Sequence, residues 1–191
     1  MMKPVELEIE LFCRGLCISD GLQDEWNARR ITRTRAGLGS GLELVLHPGP
    51  REIWANVPVS EPFAQRSPYA LESDGLALFI TDQEHPGDHY PVRLPAEPAW
   101  YNRTTSSGQH MTRVGILQGT YLGVYIGSPC GFWHTRPAPM NCRFCTTGHN
   151  IGTNEARRKS VQDVVEVAQA AREESGVIFT HFNTGFSFEH D

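Results

Sequence analysis

Val5, Leu7, Ile9 and Leu11 alternate with Glu6, Glu8 and Glu10 at the start of the chain. This period-two pattern predicts a half-buried β-strand. Further strands are expected over residues 42–46, 52–59, 76–81 and 90–94, set apart by the turn chemistry of His47-Pro-Gly-Pro50, Ser73-Asp-Gly75 and His85-Pro-Gly-Asp88. A short helix is expected from Asp20 to Arg35, ended by Gly37-Leu-Gly-Ser-Gly41. Residues 1–100 therefore read as a small β-rich domain. The polar run Asn102-Arg-Thr-Thr-Ser-Ser-Gly108 marks residues 101–111 as a linker.

Beyond it the period changes. Residues 113–117 and 121–126 are apolar runs of strand length, followed by a loop in which Pro129, Pro137 and Pro139 exclude regular structure. Ser160 is placed as the N-cap of a helix, with Asp163 near the positive end of its dipole. Val161, Val164, Val165, Ala168 and Ala171 form the predicted apolar stripe, and Gly176 the stop. Residues 177–182 return as a strand, broken at Asn183-Thr-Gly185. Strand, loop, helix and strand make one βαβ unit, which implies a parallel pair with a right-handed crossover. Ligands of parallel sheets sit at the carboxyl ends of the strands, where both the loop after residue 126 and Asn183-Thr-Gly185 fall. One such unit does not cover both faces of a parallel sheet, so residues 112–191 are expected to be the truncated start of a longer α/β region.

A chain of 191 residues is long enough to bury a core. Its net charge of −5, from 22 acidic and 17 basic residues, gives no nucleic-acid footprint. The short basic run Arg29, Arg30, Arg33 and Arg35 reads as a solvated face. No apolar run approaches the roughly 18 residues of a membrane span, and the acidic N-terminus is neither signal nor transit peptide. The expected location is the cytoplasm, where clustered cysteines are more often metal-binding or catalytic than disulfide-bonded.

Three of the five cysteines, Cys130, Cys142 and Cys145, fall within sixteen residues. Thiolate is the soft ligand that selects iron–sulfur clusters, zinc or copper(I), and three sulfurs leave one metal position open. Cys142-Arg-Phe-Cys145, reached after the lone Cys130, admits two metal readings. One is an iron–sulfur cluster. The other is zinc held by Cys130, Cys142, Cys145 and His149 in a structural or interaction domain. Unliganded thiols are the third reading. Thr146-Thr-Gly148 suits backbone that approaches a ligand closely. Phe132, Trp133 and Phe144 serve equally as core packing or as a shield for a cluster. Cys13 and Cys17 read as a buried pair of small apolar side chains. His47, His85, His89 and His110 read as solvated loop residues, His181 as a weak candidate facing a cofactor, and Arg136 and Arg143 as carboxylate contacts or surface residues.

Cys130, the Cys142-Arg-Phe-Cys145 pair with its internal aromatic, and their position after the first strand of a βαβ unit resemble the radical S-adenosylmethionine superfamily over roughly residues 112–191. In the usual family motif three residues separate the first two cysteines; here eleven do. The resemblance implies an α/β fold that begins a partial (β/α) barrel behind the β-rich domain. It implies a [4Fe-4S] cluster on Cys130, Cys142 and Cys145, with S-adenosyl-L-methionine on the fourth iron. Phe144 would pack near the adenine, and Asn183, Thr184 and Gly185 would help to seat the cofactor. The implied partners are a small electron-donor protein and a substrate whose contacting residues come from later strands. No catalytic residue is assigned, and the fragment is not required to turn over alone.

Overall fold

A computed structural model of the chain describes residues 2–22, 33–35, 39–47, 52–59, 61–127, 130–135, 137–142, 145 and 147–187, the side chains of residues 33–35, 39, 40 and 149 excepted. Among these residues it is a mixed α/β structure with three separate sheets and few helices. No helix among the described residues is long and apolar enough to cross a membrane. The chain divides into two compact units, Met1–Arg33 with Ser40–Ala96, and Thr34–Gly39 with Glu97–Asp191.

The first unit begins with a helix, α1 (Pro4–Arg14), where the alternating pattern predicts a strand. An alternating run always contains residues four apart, so it also carries a narrow helical stripe. Leu7 and Leu11 form that stripe and are buried, while Val5, Ile9 and Phe12 are exposed. Local signals decide the outcome. Pro4 presets the first helical φ, and the Glu6 carboxylate accepts the free Lys3 N–H at 2.9 Å. Gly15 ends the helix at φ 75°, where an added Cβ would lie 2.4 Å from that of Ala64.

The strands follow as β1 (Cys17–Ile18), β2 (Arg33–Arg35), β3 (Gly39–Val45), β4 (Trp54–Val57), β5 (Tyr69–Ser73), β6 (Leu78–Asp82) and β7 (His89–Val92). β1, β5, β6 and β7 form one sheet in that order, and β3 pairs antiparallel with β4; β2 falls mostly in the Thr34–Gly39 stretch of the second unit. All four strands predicted beyond residue 40 are present, whereas β5 was not expected. Its alternation places Tyr69 and Leu71 in the core beside Leu7, Leu11, Leu44, Val57 and Ile80. The helix expected from Asp20 does not extend to Arg35, because Arg33–Arg35 is extended; residues 23–32 lie outside the described residues.

The second unit contains β8 (Ile116–Gln118), β9 (Tyr121–Tyr125), a short helix α2 (Thr147–Asn150), α3 (Val161–Ser175) and β10 (Thr180–Asn183). The sheet order is β10-β9-β8. The β9–β10 pair is parallel, with Leu122 opposite Thr180 and Tyr125 opposite Asn183, as the βαβ pattern predicts. β8 pairs antiparallel on the other side.

Ser160 caps α3 as expected, accepting the Asp163 N–H. Of the predicted stripe, Ala171 is buried and Val164 and Ala168 pack against the core, whereas Val161 and Val165 are exposed; Asp163, Val167 and Ala170 complete the packed face. Asp163 turns this face inward. Its carboxylate accepts the hydroxyls of Thr105 at 2.6 Å, Ser107 at 2.5 Å and Ser160 at 2.7 Å. These bonds, led by Ser107 and Thr105, hold its pKa far below the ordinary aspartate value. The expected linker 101–111 is therefore docked onto α3. Trp100 and Tyr101 are buried, and Glu174 and Glu166 accept the Trp100 and Ser106 N–H groups.

Candidate metal centre at the cysteine loop

β9 delivers the chain into the cysteine loop, and β10 ends beside it. Cys130 caps a 3-10 turn, Gly131–His134, whose first N–H donates to the Phe186 carbonyl at 2.7 Å. The Phe132 and Phe186 rings stack with centroids 5.2 Å apart. Gly185 sits directly against Cys130: a Cβ added there would lie 2.5 Å from the Cys130 Cβ and 2.8 Å from the Tyr125 hydroxyl. Only glycine allows this approach. The Gly185 N–H donates to that hydroxyl at 2.7 Å. The two loops expected on one edge of the sheet thus touch.

The second half of the loop is held separately. The Cys145 N–H donates to the Cys142 carbonyl at 3.0 Å, and the Cys145 sulfur lies 2.9 Å from the hydroxyl of Thr147, the first residue of α2. Gly148 lets α2 meet Trp133, since a Cβ there would come within 2.4 Å of the indole. Thr135 bonds the Phe132 and Ala138 carbonyls and folds the proline-rich segment back. Cys130 and Cys145 are half-buried, and Cys142 is exposed.

Tyr125 links these parts. Its hydroxyl titrates above the usual tyrosine range, first because it is buried; the Gly185 N–H opposes this, and the Cys130 and Cys145 sulfurs and Glu155 add to it. Beneath this phenol, the Lys159 ammonium is nearly sealed from solvent, donating to the Tyr125 carbonyl at 2.7 Å and the Ala156 carbonyl at 3.2 Å. Its third partner is the Glu155 carboxylate at 2.8 Å. Burial pushes the Glu155 pKa up to about 7 despite that ammonium. Sequence reasoning missed Tyr125, Glu155 and Lys159. The only signal was Glu155 four residues before Lys159, a spacing that usually marks an exposed helical pair.

The structure does not gather the predicted ligands. Among the described residues no three His, Cys, Asp or Glu side chains converge in a way that would hold a metal ion. Phe144, Arg136, Arg143 and the side chain of His149 lie outside the described residues. Asn183 and Thr184 build their own turn: the Asn183 side chain accepts the Thr184 N–H at 2.9 Å, and the Thr184 hydroxyl donates to the Gly185 carbonyl. His181 is exposed beside the Tyr121 ring.

In the first unit, Cys13 is exposed, so it is not half of a buried pair, and the Cys17 thiol donates to the Ala64 carbonyl at 3.1 Å. His47, His85 and His89 are exposed as expected, with His85 against Asp82 at 2.9 Å; in the second unit His110 is half-buried against Thr112.

Comparison with protein-family models, with curated proteins and with solved structures gave no match.

Proposed function

We propose that the chain is the cluster-binding part of a radical S-adenosylmethionine enzyme, with Cys130, Cys142 and Cys145 as ligands of a [4Fe-4S] cluster. One observation carries this reading: three thiols within sixteen residues leave the carboxyl end of a strand in a parallel pair, and the turn after the second strand seats on the first thiol. The donor set suits iron and sulfide, since thiolates are the ordinary ligands of such clusters. The geometry supports it only in part. Cys130 lies against Gly185 beside the Tyr125 hydroxyl, Cys145 is held at Thr147 and Cys142 is exposed, so the three sulfurs are not yet gathered around one point.

Bound there, the cluster would supply one electron, drawn from a donor protein, to cleave the sulfonium of S-adenosylmethionine and leave a carbon radical. The chain's own contribution is positional. Gly185 keeps space at Cys130, Phe132 and Trp133 shield the loop, and Asn183 and Thr184 shape the adjoining turn. A partial (β/α) barrel that begins at β9 fits this reading, with β10 as its second strand.

Anaerobic reconstitution with iron and sulfide tests it. The expected result is about four irons per chain with the broad absorbance near ~400 nm of a [4Fe-4S] cluster, lost in Cys142→Ala and in Cys130→Ala. One tightly held zinc per chain, retained in place of iron, would overturn the reading in favour of a structural site.

A further inference from the structure

A second site lies at the same end of the β8–β9 hairpin and uses none of the cysteines. A cleft of about 370 Å³ is lined by Gln109, Arg113, Gly152, Ala156, Arg157 and Arg158. β8 runs against β9 with Ile116 opposite Gly123, so Arg113, just before β8, lies towards the end where β9 enters the cysteine loop. The Ala156 N–H donates to the Arg113 carbonyl at 2.8 Å and fixes the two walls together.

The cleft is constructed around its arginines. Residues 150–155 fold into a tight turn in which the Asn150 carbonyl accepts the N–H groups of Thr153, Asn154 and Glu155. Gly152 stands at φ 93° within it, and its carbonyl accepts the Arg113 guanidinium at 3.2 Å. The Arg157 guanidinium crosses the bare face of Gly152: a Cβ there would meet its Nε at 2.6 Å. The Arg113 Nε is sealed from solvent and has no acceptor among the described residues. No residue lining the cleft is acidic, and no carboxylate among the described residues pairs with Arg157 or Arg158.

Arg113, Arg157 and Arg158 bring three positive charges to one concavity, with the Glu155 carboxylate acting on Arg113 alone, and an anion would relieve the repulsion that remains. Arginine's planar fork matches phosphate and carboxylate oxygens in pairs. A carboxylate fills one such fork and brings a single charge. A phosphate presents three oxygens in different directions and carries nearly two charges, which suits several arginines around one concavity better than a single carboxylate does. The volume exceeds that of one phosphate and falls within the range of small-molecule sites. We propose that this cleft binds the phosphate group of a small phosphorylated ligand at the edge of the sheet that also carries the cysteine loop. The site is independent of any cluster, so its failure and the failure of the cluster reading are separate results.

Calorimetric titration of the full chain with pyrophosphate, at ionic strength matched with chloride, provides the test. One saturable site per chain is expected, with binding at least tenfold weaker in Arg157→Gln/Arg158→Gln. Both arginines are exposed, so an unchanged circular dichroism melt will show that this variant folds. Gly152→Ala, which displaces the Arg157 guanidinium, is expected to weaken binding as well. Heats no different from dilution, equal affinity in the double arginine variant, or acetate displacing pyrophosphate at equal concentration would each overturn the proposal.

Discussion

Replacing Lys159 by Met removes a buried cation while leaving its carboxylate partner in place, and the structure sets both the size and the pH dependence of the effect. In the native chain Glu155 titrates near pH 7, against an ordinary value of 4.5. Between those two values the folded state holds more protons than the unfolded state. Native stability therefore falls as pH rises from about 4.5 to about 7 and is level above that. Without the ammonium, the buried carboxyl moves further up, to the ~8–9 reached by unpartnered buried glutamates. The variant's stability then keeps falling for one or two more pH units, at about 1.4 kcal/mol each.

At pH 6 Glu155 is mostly neutral in both proteins, so the variant loses only the bonds to the Tyr125 and Ala156 carbonyls, about 2 kcal/mol. At pH 9 the loss grows to ~3.4–4.8 kcal/mol, within the ~3–5 kcal/mol of a broken buried ion pair. Urea unfolding followed by tryptophan fluorescence at the two pH values measures the difference. The double variant Glu155→Gln/Lys159→Met is expected to lose the pH dependence. Equal losses at pH 6 and pH 9 would refute the reasoning, because they would mean that Glu155 does not carry the charge left unpaired.

Asp163→Ala leaves the Thr105, Ser107 and Ser160 hydroxyls without their shared acceptor and is expected to cost ~3 kcal/mol in urea unfolding at pH 7. Because the folded pKa of Asp163 is depressed, its contribution is complete above the unfolded value of 3.8 and is lost as pH falls below it, so variant and native chains are expected to converge in acid. Gly15→Ala combines a positive φ with a Cβ 2.4 Å from that of Ala64, and thermal unfolding is expected to show a loss of ~2–3 kcal/mol. Gly185→Ala drives a methyl into Cys130 and Tyr125. It is expected to displace the turn after β10, seen as a changed near-ultraviolet tyrosine signal, and to lower iron incorporation in the reconstitution assay.

The second unit was the more legible half of the chain. Ser160, Gly176 and the strand-length runs on either side predict the βαβ pair because capping and turn chemistry act locally. The face of α3 was legible only in part: Val164, Ala168 and Ala171 pack as the periodicity predicts, and Val161 and Val165 do not. Its direction is set by hydroxyls of Thr105 and Ser107, more than fifty residues away, which draw an aspartate inward where apolar periodicity points to Val161 and Val165. The strand predicted at residues 5–11 failed for the converse reason: a local cap and a proline outweighed an alternation that two periodicities share. At the site, the cysteines were visible as a cluster, but Lys159 and Glu155 were not. A buried ion pair reads like any surface pair until tertiary packing closes over it, and the arginine cleft likewise exists only once the turn at Gly152 is formed.

The β9–β10 register also orders events during folding. Leu122 and Thr180 pair across a separation of 58 residues, whereas the β5–β6–β7 meander joins neighbours in sequence. Loop-closure entropy makes such a distant parallel pairing slow relative to local hairpins. Gly185 meets Cys130 only after that pairing forms, so during synthesis Cys130 stays uncovered until β10 has arrived. If Cys130 takes up iron as proposed, its easiest access falls in that interval, before Phe186 stacks over Phe132.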